Sequence, residues 1–374
     1  MVRDPSTAAL SKAAVQTDGW CAPQTETMGD NATYSVQVSQ ATPVSVNGQS
    51  LVERKVVSTG TVNGVKRRAT VSIDASTGTP IFPFSYAMVA RDGVSFKNNA
   101  TFTNGGVASN GDITFKNNTS VCGNVTPGVG QSLNLGQNFS QCGGFNTNNA
   151  TQPFPFQPVD MVAPNALNDN ARITAAKNGG SPTDTCTNCP SIGWDPSTRV
   201  LNLGATSTLT LSGDTYSVCS LTIASGAQLK IAARTTPLLF YVDSPESCGN
   251  GAGMGNVTLT GQVLNLNSNP STFVLLVAGS TSQATTITIE DNAVTAANAP
   301  MAIYAPNSTV DYKNNLDWSG ALVAKTITIK NNATINYDSR VANITMNSAV
   351  RFYEDQGYRE CTSDPPTSTP DSGC

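Results

Sequence analysis

Short apolar segments alternate with polar turns along most of this chain, and one four-residue pattern recurs. An apolar residue is followed by Lys-Asn-Asn at Phe96–Asn99, Phe115–Asn118, Tyr312–Asn315 and Ile329–Asn332. The first two copies are 19 residues apart and the last two are 17 apart. One strand plus one turn of this length is typical of a solenoid coil, which buries its inner face only when another coil stacks on it. The recurrence predicts a right-handed parallel β-helix in a mainly β protein.

The hydrophobic pattern divides the chain into regions. Residues 1–78 contain a helix-start signal at Asp4-Pro5, alternating strands and a hairpin signal at Asn63-Gly64, and they predict a small α+β module. Residues 79–352 predict the β-helix, with a loop-rich insertion at about 125–197, where Pro and Gly cluster. Residues 353–374 are rich in Pro, Ser and Thr and predict a flexible or disulfide-tied tail.

Apolar positions indicate which faces are buried. The alternation predicts that Phe102, Val107 and Ile113 point inward, together with Phe115 and Val121. The longest apolar runs, at 237–242 and 273–278, have the length of strands, whereas a membrane helix needs about 18 consecutive apolar residues. The sequence therefore predicts no membrane helix within this chain.

The charge of the chain argues against nucleic acid as a partner. Only 12% of the 374 residues are charged, the formal net charge is −4 and the pI is about 4.9. Phosphate binding needs a basic stripe. The nearest approach to one, Arg54-Lys55 with Lys66-Arg67-Arg68, is better interpreted as the solvated faces of two neighbouring strands.

Nine cysteines in so polar a chain indicate an oxidising compartment. Sequence proximity favours pairing of Cys122 with Cys142 and of Cys219 with Cys248. Two further bonds could close on short segments, Cys186 with Cys189 and Cys361 with Cys374. One thiol is left over, and the sequence alone does not fix the connectivity.

The absence of histidine removes several chemistries at once. Ser-His-Asp and Cys-His nucleophiles, imidazole bases and His-type zinc sites all need a residue that the chain lacks. Cys186-x-x-Cys189 offers only two zinc ligands and lacks the strand-to-helix context of a redox motif, so we interpret it as a structural clasp. We predict no metal, no cofactor and no catalytic residue.

A carbohydrate-active β-helix enzyme is the alternative from another class. Such enzymes need two or three converging carboxylates. Asp311, Asp317 and Asp338 could approach one another if the coil period is near 20, and Asp112 and Asp291 lie in other coil-like segments. We favour their interpretation as turn residues that accept backbone N–H bonds.

Asn-x-Ser/Thr triplets, which are potential glycosylation acceptors, occur repeatedly, at Asn31, Asn99, Asn118, Asn124, Asn138, Asn149, Asn256, Asn307, Asn332 and Asn343. A chain this rich in Asn and Thr also generates such triplets by chance. No secretion signal stands at the start, although the composition is extracellular. We therefore expect a hydrophobic segment upstream of this sequence.

Three stretches resemble type IV pilus accessory proteins of the PilX class. Residues 57–71 (VSTGTVNGVKRRATV) resemble the strand pair that closes their pilin-like module. Residues 301–310 (MAIYAPNSTV), continuing through 318–324 and 335–338, resemble the β-helical domain often fused to it. Residues 154–160 (FPFQPVD) resemble its Pro-rich connector. The resemblance implies a prepilin-type N-terminal helix, which this sequence lacks, and implies no catalytic residue.

These observations predict a non-catalytic structural or adhesive protein of the bacterial envelope, extracellular or on the cell surface, and specifically a pilin-like accessory subunit. The partners that we expect are pilins or other filament subunits, with surface glycans or host or neighbour-cell proteins as adhesion ligands. Contact with a membrane would occur only through the missing N-terminal helix. A secreted adhesin unrelated to pili is the other alternative.

Overall fold

The computed structural model of the protein describes residues 16, 19–28, 31–40, 42–46, 49–76, 85–180, 184–290, 293, 295, 299–344, 352–354 and 358–374. The chain divides into two compact units, the first formed by residues 1–79 and 347–374 and the second by residues 80–346. The described part of the chain is mainly β, as the sequence predicts. None of the helices in the described part of the chain is long and apolar enough to span a membrane.

The described chain contains the following elements. The strands are β1 (Gln24–Thr27), β2 (Ala32–Val38), β3 (Thr42–Val46), β4 (Gln49–Val62), β5 (Val65–Ser76), β6 (Met88–Asn104), β7 (Val107–Ser109), β8 (Asp112–Val121), β9 (Val125–Thr126), β10 (Leu133–Leu135), β11 (Ser140–Gln141), β12 (Thr185–Thr187), β13 (Ile192–Asp195), β14 (Val200–Leu203), β15 (Thr208–Leu211), β16 (Thr215–Val218), β17 (Ser220–Ile223), β18 (Gln228–Ile231), β19 (Leu238–Val242), β20 (Val257–Leu259), β21 (Gln262–Asn265), β22 (Phe273–Val277), β23 (Thr286–Ile289), β24 (Met301–Asn336), β25 (Phe352–Glu354) and β26 (Arg359–Glu360). The helices are α1 (Val162–Ala166) and α2 (Asn170–Lys177), with 3₁₀ turns at Cys189–Ser191, Pro270–Thr272 and Ser339–Asn343.

The first unit is an antiparallel sheet in the order β1-β2-β4-β5-β25, with β3 paired to β4 and β26 paired to β5. The predicted hairpin is confirmed, because β4 and β5 pair from end to end around Asn63 and Gly64. Both turn residues have positive φ, 48° and 81°, which Asn and Gly tolerate better than other residues. The predicted helix after Asp4-Pro5 lies outside the described residues.

The C-terminal segment, predicted to be flexible or disulfide-tied, is tied by Cys361–Cys374 and folds against this sheet. Arg68 is only 4% exposed. Its guanidinium donates to the carbonyl oxygen of Ser372 at 2.8 Å and also to those of Ser363 and Pro370. A buried guanidinium needs such acceptors, and hydrogen bonds to a charged group are stronger than neutral ones. The segment is thus ordered by the cation beneath it, which its own composition does not reveal.

The second unit is built from parallel layers. Val94 on β6 pairs with Ile113 on β8, and Ile113 pairs with Leu133 on β10. Elsewhere β14, β17, β20, β23 and β24 follow one another in the same parallel sense. The inward positions that the alternation predicts are buried and belong to one apolar core cluster. Strand register aligns residues of successive layers within this core: Leu201, Leu221, Val257, Ile287 and Val310 on one side of the stack, and Ile327, Val94 and Ile113 on the other.

Spatial order differs from chain order in this stack. The layers run β10-β8-β6-β24-β23-β20-β17-β14-β13, so β6, the first long strand of the unit, lies in the middle. There it pairs in parallel with β24, the last strand, from Leu322 opposite Met88 to Asn336 opposite Asn104. We call this β24–β6 pairing the seam. The layers that come first and last in the chain therefore pair with each other and cover each other's core side chains.

A long connector returns the chain from one end of the stack to the other. Its residues Val159, Phe154 and Phe156 pack with Val274 and Tyr304 in a second apolar cluster on the outer side of the strands. The hydroxyl of Tyr304 donates to the carbonyl of Gln157 at 2.7 Å. The two apolar runs, which form β19 and β22, have few polar positions because the core buries one face and the connector covers much of the other.

Residues 125–141, part of the predicted insertion, belong to the stack instead. Strands β10 and β11 pair with β8 and form a further layer. The opposite end is closed by antiparallel pairing of β13 with β14, and by α2, whose Ile173 and Ala176 enter the core. A helix and an antiparallel strand protect the edge of a parallel sheet from further pairing.

The structure joins eight cysteines in four disulfides, with the partners that sequence proximity favours. Cys122–Cys142 connects neighbouring layers, with α-carbons 4.8 Å apart, and Cys219–Cys248 spans 5.7 Å. Cys186–Cys189 closes a loop of three residues, Cys361–Cys374 closes the C-terminal segment, and Cys21 is free and buried. Each bond stabilises the fold mainly by restricting the unfolded chain.

We expect the double substitution Cys122→Ser/Cys142→Ser to lower the free energy of unfolding of the second unit by about 3 kcal/mol, because the bond closes a loop with a sequence separation of 20. Cys186→Ser/Cys189→Ser is the matched control, with a separation of 3 and a smaller expected loss. Urea titration with intact disulfides measures both. Equal losses would contradict loop closure as the source, and peptide mapping that finds other pairs would refute the connectivity.

Candidate functional site

The Lys-Asn-Asn repeats form the most regular polar feature of the second unit. The second asparagine of each repeat occupies a turn with positive φ, between 51° and 53°, at Asn99, Asn118, Asn315 and Asn332. Left-handed backbone costs most residues about 1–2 kcal/mol, and Asn tolerates it because its short amide bonds locally. The need for a left-handed turn in each layer therefore explains why asparagine recurs.

Asparagine side chains of successive layers hydrogen-bond to one another in two rows. We call the two rows together the asparagine ladder. In the outer row the amides of Asn332, Asn99, Asn118 and Asn138 each donate to the preceding carboxamide at 2.9–3.1 Å, beginning with Asn315. In the inner row the order is Asn314, Asn331, Asn98 and Asn117, with distances of 2.9–3.3 Å. Each middle rung both donates and accepts, so neighbouring bonds polarise one another.

The asparagine ladder crosses the seam without interruption. Asn98 donates to Asn331 at 2.9 Å and Asn99 donates to Asn332 at 3.0 Å, although 233 residues separate each pair in the chain. Eight of these side chains line an open groove of about 520 Å³. The rungs are uncharged, so the groove can offer hydrogen bonds to a ligand but has no acid or base for catalysis.

Four of these Asn-x-Ser/Thr triplets fall on the outer row, at Asn99, Asn118, Asn138 and Asn332. In three of them the middle residue is small and buried: Ala100, Thr119 and Ala333. The triplets at these positions are accounted for by turn geometry, since the amide nitrogen is already a donor to the neighbouring layer.

Lysines precede the asparagine pairs and occupy equivalent positions in successive layers. Like charges directly opposite each other destabilise a sheet. Lys313 forms an ion pair with Glu290, and Lys330 lies 3.4 Å from Asp311. The four stacked positions are Lys97, Lys116, Lys313 and Lys330.

The acids considered for catalysis are held by separate partners. Asp311 contacts Lys330, and Asp338 accepts hydrogen bonds from Arg340, which lower the pKa of Asp338. Among the described residues, no three Cys, Asp or Glu side chains approach closely enough to hold one metal ion. The other candidates lie on β8 (Asp112), on β24 (Asp317) and outside the described residues (Asp291).

Two carboxylates, Asp243 and Glu246, line a second groove of about 400 Å³. The sequence pattern did not predict a site at either residue. Asp243 is fully buried, where it forms an ion pair with Arg199 at 2.8 Å and accepts from Asn165 at 2.6 Å. The Asp243 carboxylate is therefore engaged in contacts that hold the fold together.

Glu246, the other carboxylate, is exposed. Hydrogen bonds from the hydroxyls of Ser280 and Ser282 lower the pKa of Glu246 from 4.5 to about 2. A carboxylic acid with so low a pKa is ionised at neutral pH and cannot donate a proton as a general acid. Glu246 therefore cannot be the carboxylic acid with a raised pKa that glycoside hydrolysis requires.

Comparison with known proteins gives a family match and similarity to solved structures. A family described as "Domain of unknown function (DUF7305)" matches residues 220–344. Among solved structures, the chain is similar to the competence-associated pilin ComZ from Thermus thermophilus, with 12% identity over 90% of this chain and 86% of that chain, at a TM-score of 0.24. A TM-score of 0.24 does not establish a shared fold. No curated protein matches the chain.

We expect Asn118→Ala to destabilise the second unit by about 2 kcal/mol, since it removes two rung bonds and leaves alanine at a φ of 51°. Asn118→Gly relieves the backbone cost and should lose only about 1 kcal/mol. Asn178→Ala, at an exposed position, is the control, expected within about 0.5 kcal/mol of wild type. Urea unfolding decides, and a glycine variant as stable as wild type would show that the rungs contribute nothing.

The Glu246 carboxyl should titrate near pH 2 in ¹³C NMR spectra. Because its folded pKa is depressed, its contribution to stability is present above about pH 4.5 and is lost as the pH falls towards 2. Ser280→Ala should raise the pKa towards 4.5, whereas Thr281→Ala, a neighbour that makes no bond to Glu246, should leave it unchanged. An unaltered titration in Ser280→Ala would contradict this assignment.

Proposed function

We propose that this chain is a structural and adhesive protein of the bacterial surface, an accessory subunit of a type IV pilus-related system. The observation that carries the proposal is the asparagine ladder, which runs through five layers and across the seam. The polar side chains of this repeat hydrogen-bond from layer to layer and so hold the layers together. Surface display also agrees with four disulfides, which persist in oxidising compartments.

We infer further that the layers of the second unit are coils of a parallel β-helix. Parallel strands that pair from layer to layer around one apolar core support this inference. Right-handed winding is expected because connections between parallel strands are right-handed in nearly all proteins. The first unit would then be the pilin-like module that the resemblance of residues 57–71 suggests.

In this proposal the chain is not an enzyme. Its partners would be pilins or other filament subunits, and its adhesion ligand a surface glycan or a protein of a host or neighbouring cell. The two grooves support a non-catalytic role, since one is uncharged and the other holds an ion-paired Asp243 and a Glu246 that stays ionised.

Filaments sheared from cells that express the chain test this proposal. We expect immunoblots to detect the chain in the sheared fraction and trypsin to reach it on intact cells, with a cytosolic protein as the negative control. The same preparation from cells lacking the major pilin should lose the chain. Retention on the surface of those cells would favour an adhesin unrelated to pili, and protection from trypsin on intact wild-type cells would refute surface display.

A further inference from the structure

A third groove lies beside the layer that contains β9, and its volume is about 340 Å³. This is at the small end of the range of about 300–1,000 Å³ for ligand pockets. Two aromatic rings and a set of carboxamides form its walls, and no charged residue lines it: Tyr86, Asn124, Thr126, Asn146, Asn148, Asn149, Ala150, Thr151, Gln152 and Phe154. We call it the amide–aromatic groove.

Hydrogen bonds to the backbone hold the walls in place. Asn110 bonds both ways with Phe154, accepting from its N–H at 2.6 Å and donating to its carbonyl at 2.8 Å. Asn149 donates to the carbonyls of Gly128 at 3.0 Å and Gln131 at 2.9 Å. A site with a fixed backbone loses less entropy when a ligand binds.

Other carboxamides of the groove remain available to a ligand. The side chains of Asn146, Asn148 and Gln152 are exposed and make no hydrogen bond to any described residue, and the amide nitrogen of Asn124 likewise has no described acceptor. Each carboxamide offers donors and an acceptor. The groove thus contains two kinds of asparagine: those whose side chains are bonded to the backbone and those whose carboxamides are available to a ligand.

The aromatic pair supplies the apolar contact. Tyr86 and Phe154 meet edge to face, with centroids 5.8 Å apart and an angle of 78° between their planes, and both are partly buried. The Tyr86 hydroxyl lies 3.4 Å from that of Thr126. Aromatic faces carry a negative quadrupole that attracts polarised C–H groups.

We propose that the amide–aromatic groove binds a neutral saccharide. Hydroxyl groups of a sugar both donate and accept, which matches free carboxamides, and the C–H face of a pyranose ring packs on an aromatic ring. The absence of charged residues among the lining side chains disfavours anionic or cationic sugars. This inference deepens the adhesive role proposed above and rests on it for its biological meaning, but the binding itself is measured independently.

The test uses the full chain and three tetrasaccharides: cellotetraose and maltotetraose, which are neutral, and tetragalacturonate, which is anionic. We expect at least one neutral probe to show saturation-transfer NMR signals and a measurable Kd by calorimetry. Asn148→Ala/Gln152→Ala should weaken that binding by about tenfold, because two ligand hydrogen bonds are lost. Asn178→Ala/Gln137→Ala, with the same residue types at exposed positions elsewhere, should bind like wild type.

Three results would overturn the proposal. They are no binding of either neutral probe to the folded chain, equal binding by the groove variant and wild type, and tighter binding of the anionic probe. Urea unfolding of each variant verifies that the second unit is intact. None of these results bears on surface display, which the trypsin and shearing experiment measures separately, so failure of the saccharide site and failure of the proposed function remain distinguishable.

Discussion

Parallel pairing of β24 with β6 is the interaction on which the second unit depends. Each layer is apolar on its inner side, so an unpaired layer in the middle of the stack would expose both its edge and its core side chains. The first strand of this unit begins at Met88 and its last strand ends at Asn336, on the two sides of one seam. The stack is therefore complete only when distant parts of the sequence have met, and order in each half requires the other.

Uncharged amides take the place that ion pairs have in many surface proteins. Stacking identical residues in register works for asparagine because a carboxamide is both donor and acceptor, so each copy satisfies the next. It works poorly for lysine, whose stacked copies repel. Two of the four stacked lysines form ion pairs that offset this repulsion: Lys313 with Glu290 and Lys330 with Asp311. The low charged fraction of the chain thus follows from its repeated layers.

The sequence predicted what is local and periodic. Alternation identified buried positions such as Ile113 and Phe115, and the dipeptide Asn63-Gly64 located a hairpin, because both signals act through neighbouring residues. The seam could not be predicted in this way. The repeat at 96–99 indicates that this segment forms a layer, but repetition alone does not say which other copy it pairs with, here the one 233 positions away. Arg68 is a second example: its basic cluster is typical of a solvated strand face, but its side chain is buried beneath the C-terminal segment.

The sequence is also insufficient to identify which polar side chains of the candidate sites are available to bind. A residue type alone does not separate an asparagine that builds the fold from one that is free to bind, because both have the same carboxamide. Asn149 uses its amide on two backbone carbonyls, whereas Asn148, its neighbour, makes no side-chain bond to the described chain. Only the surrounding acceptors distinguish them, and these come from residues 128 and 131 in the preceding layer. In a chain whose scaffold and binding groups share one chemistry, function is assigned by accounting for each hydrogen bond, since a carboxamide already saturated by its neighbours has little left to offer a ligand.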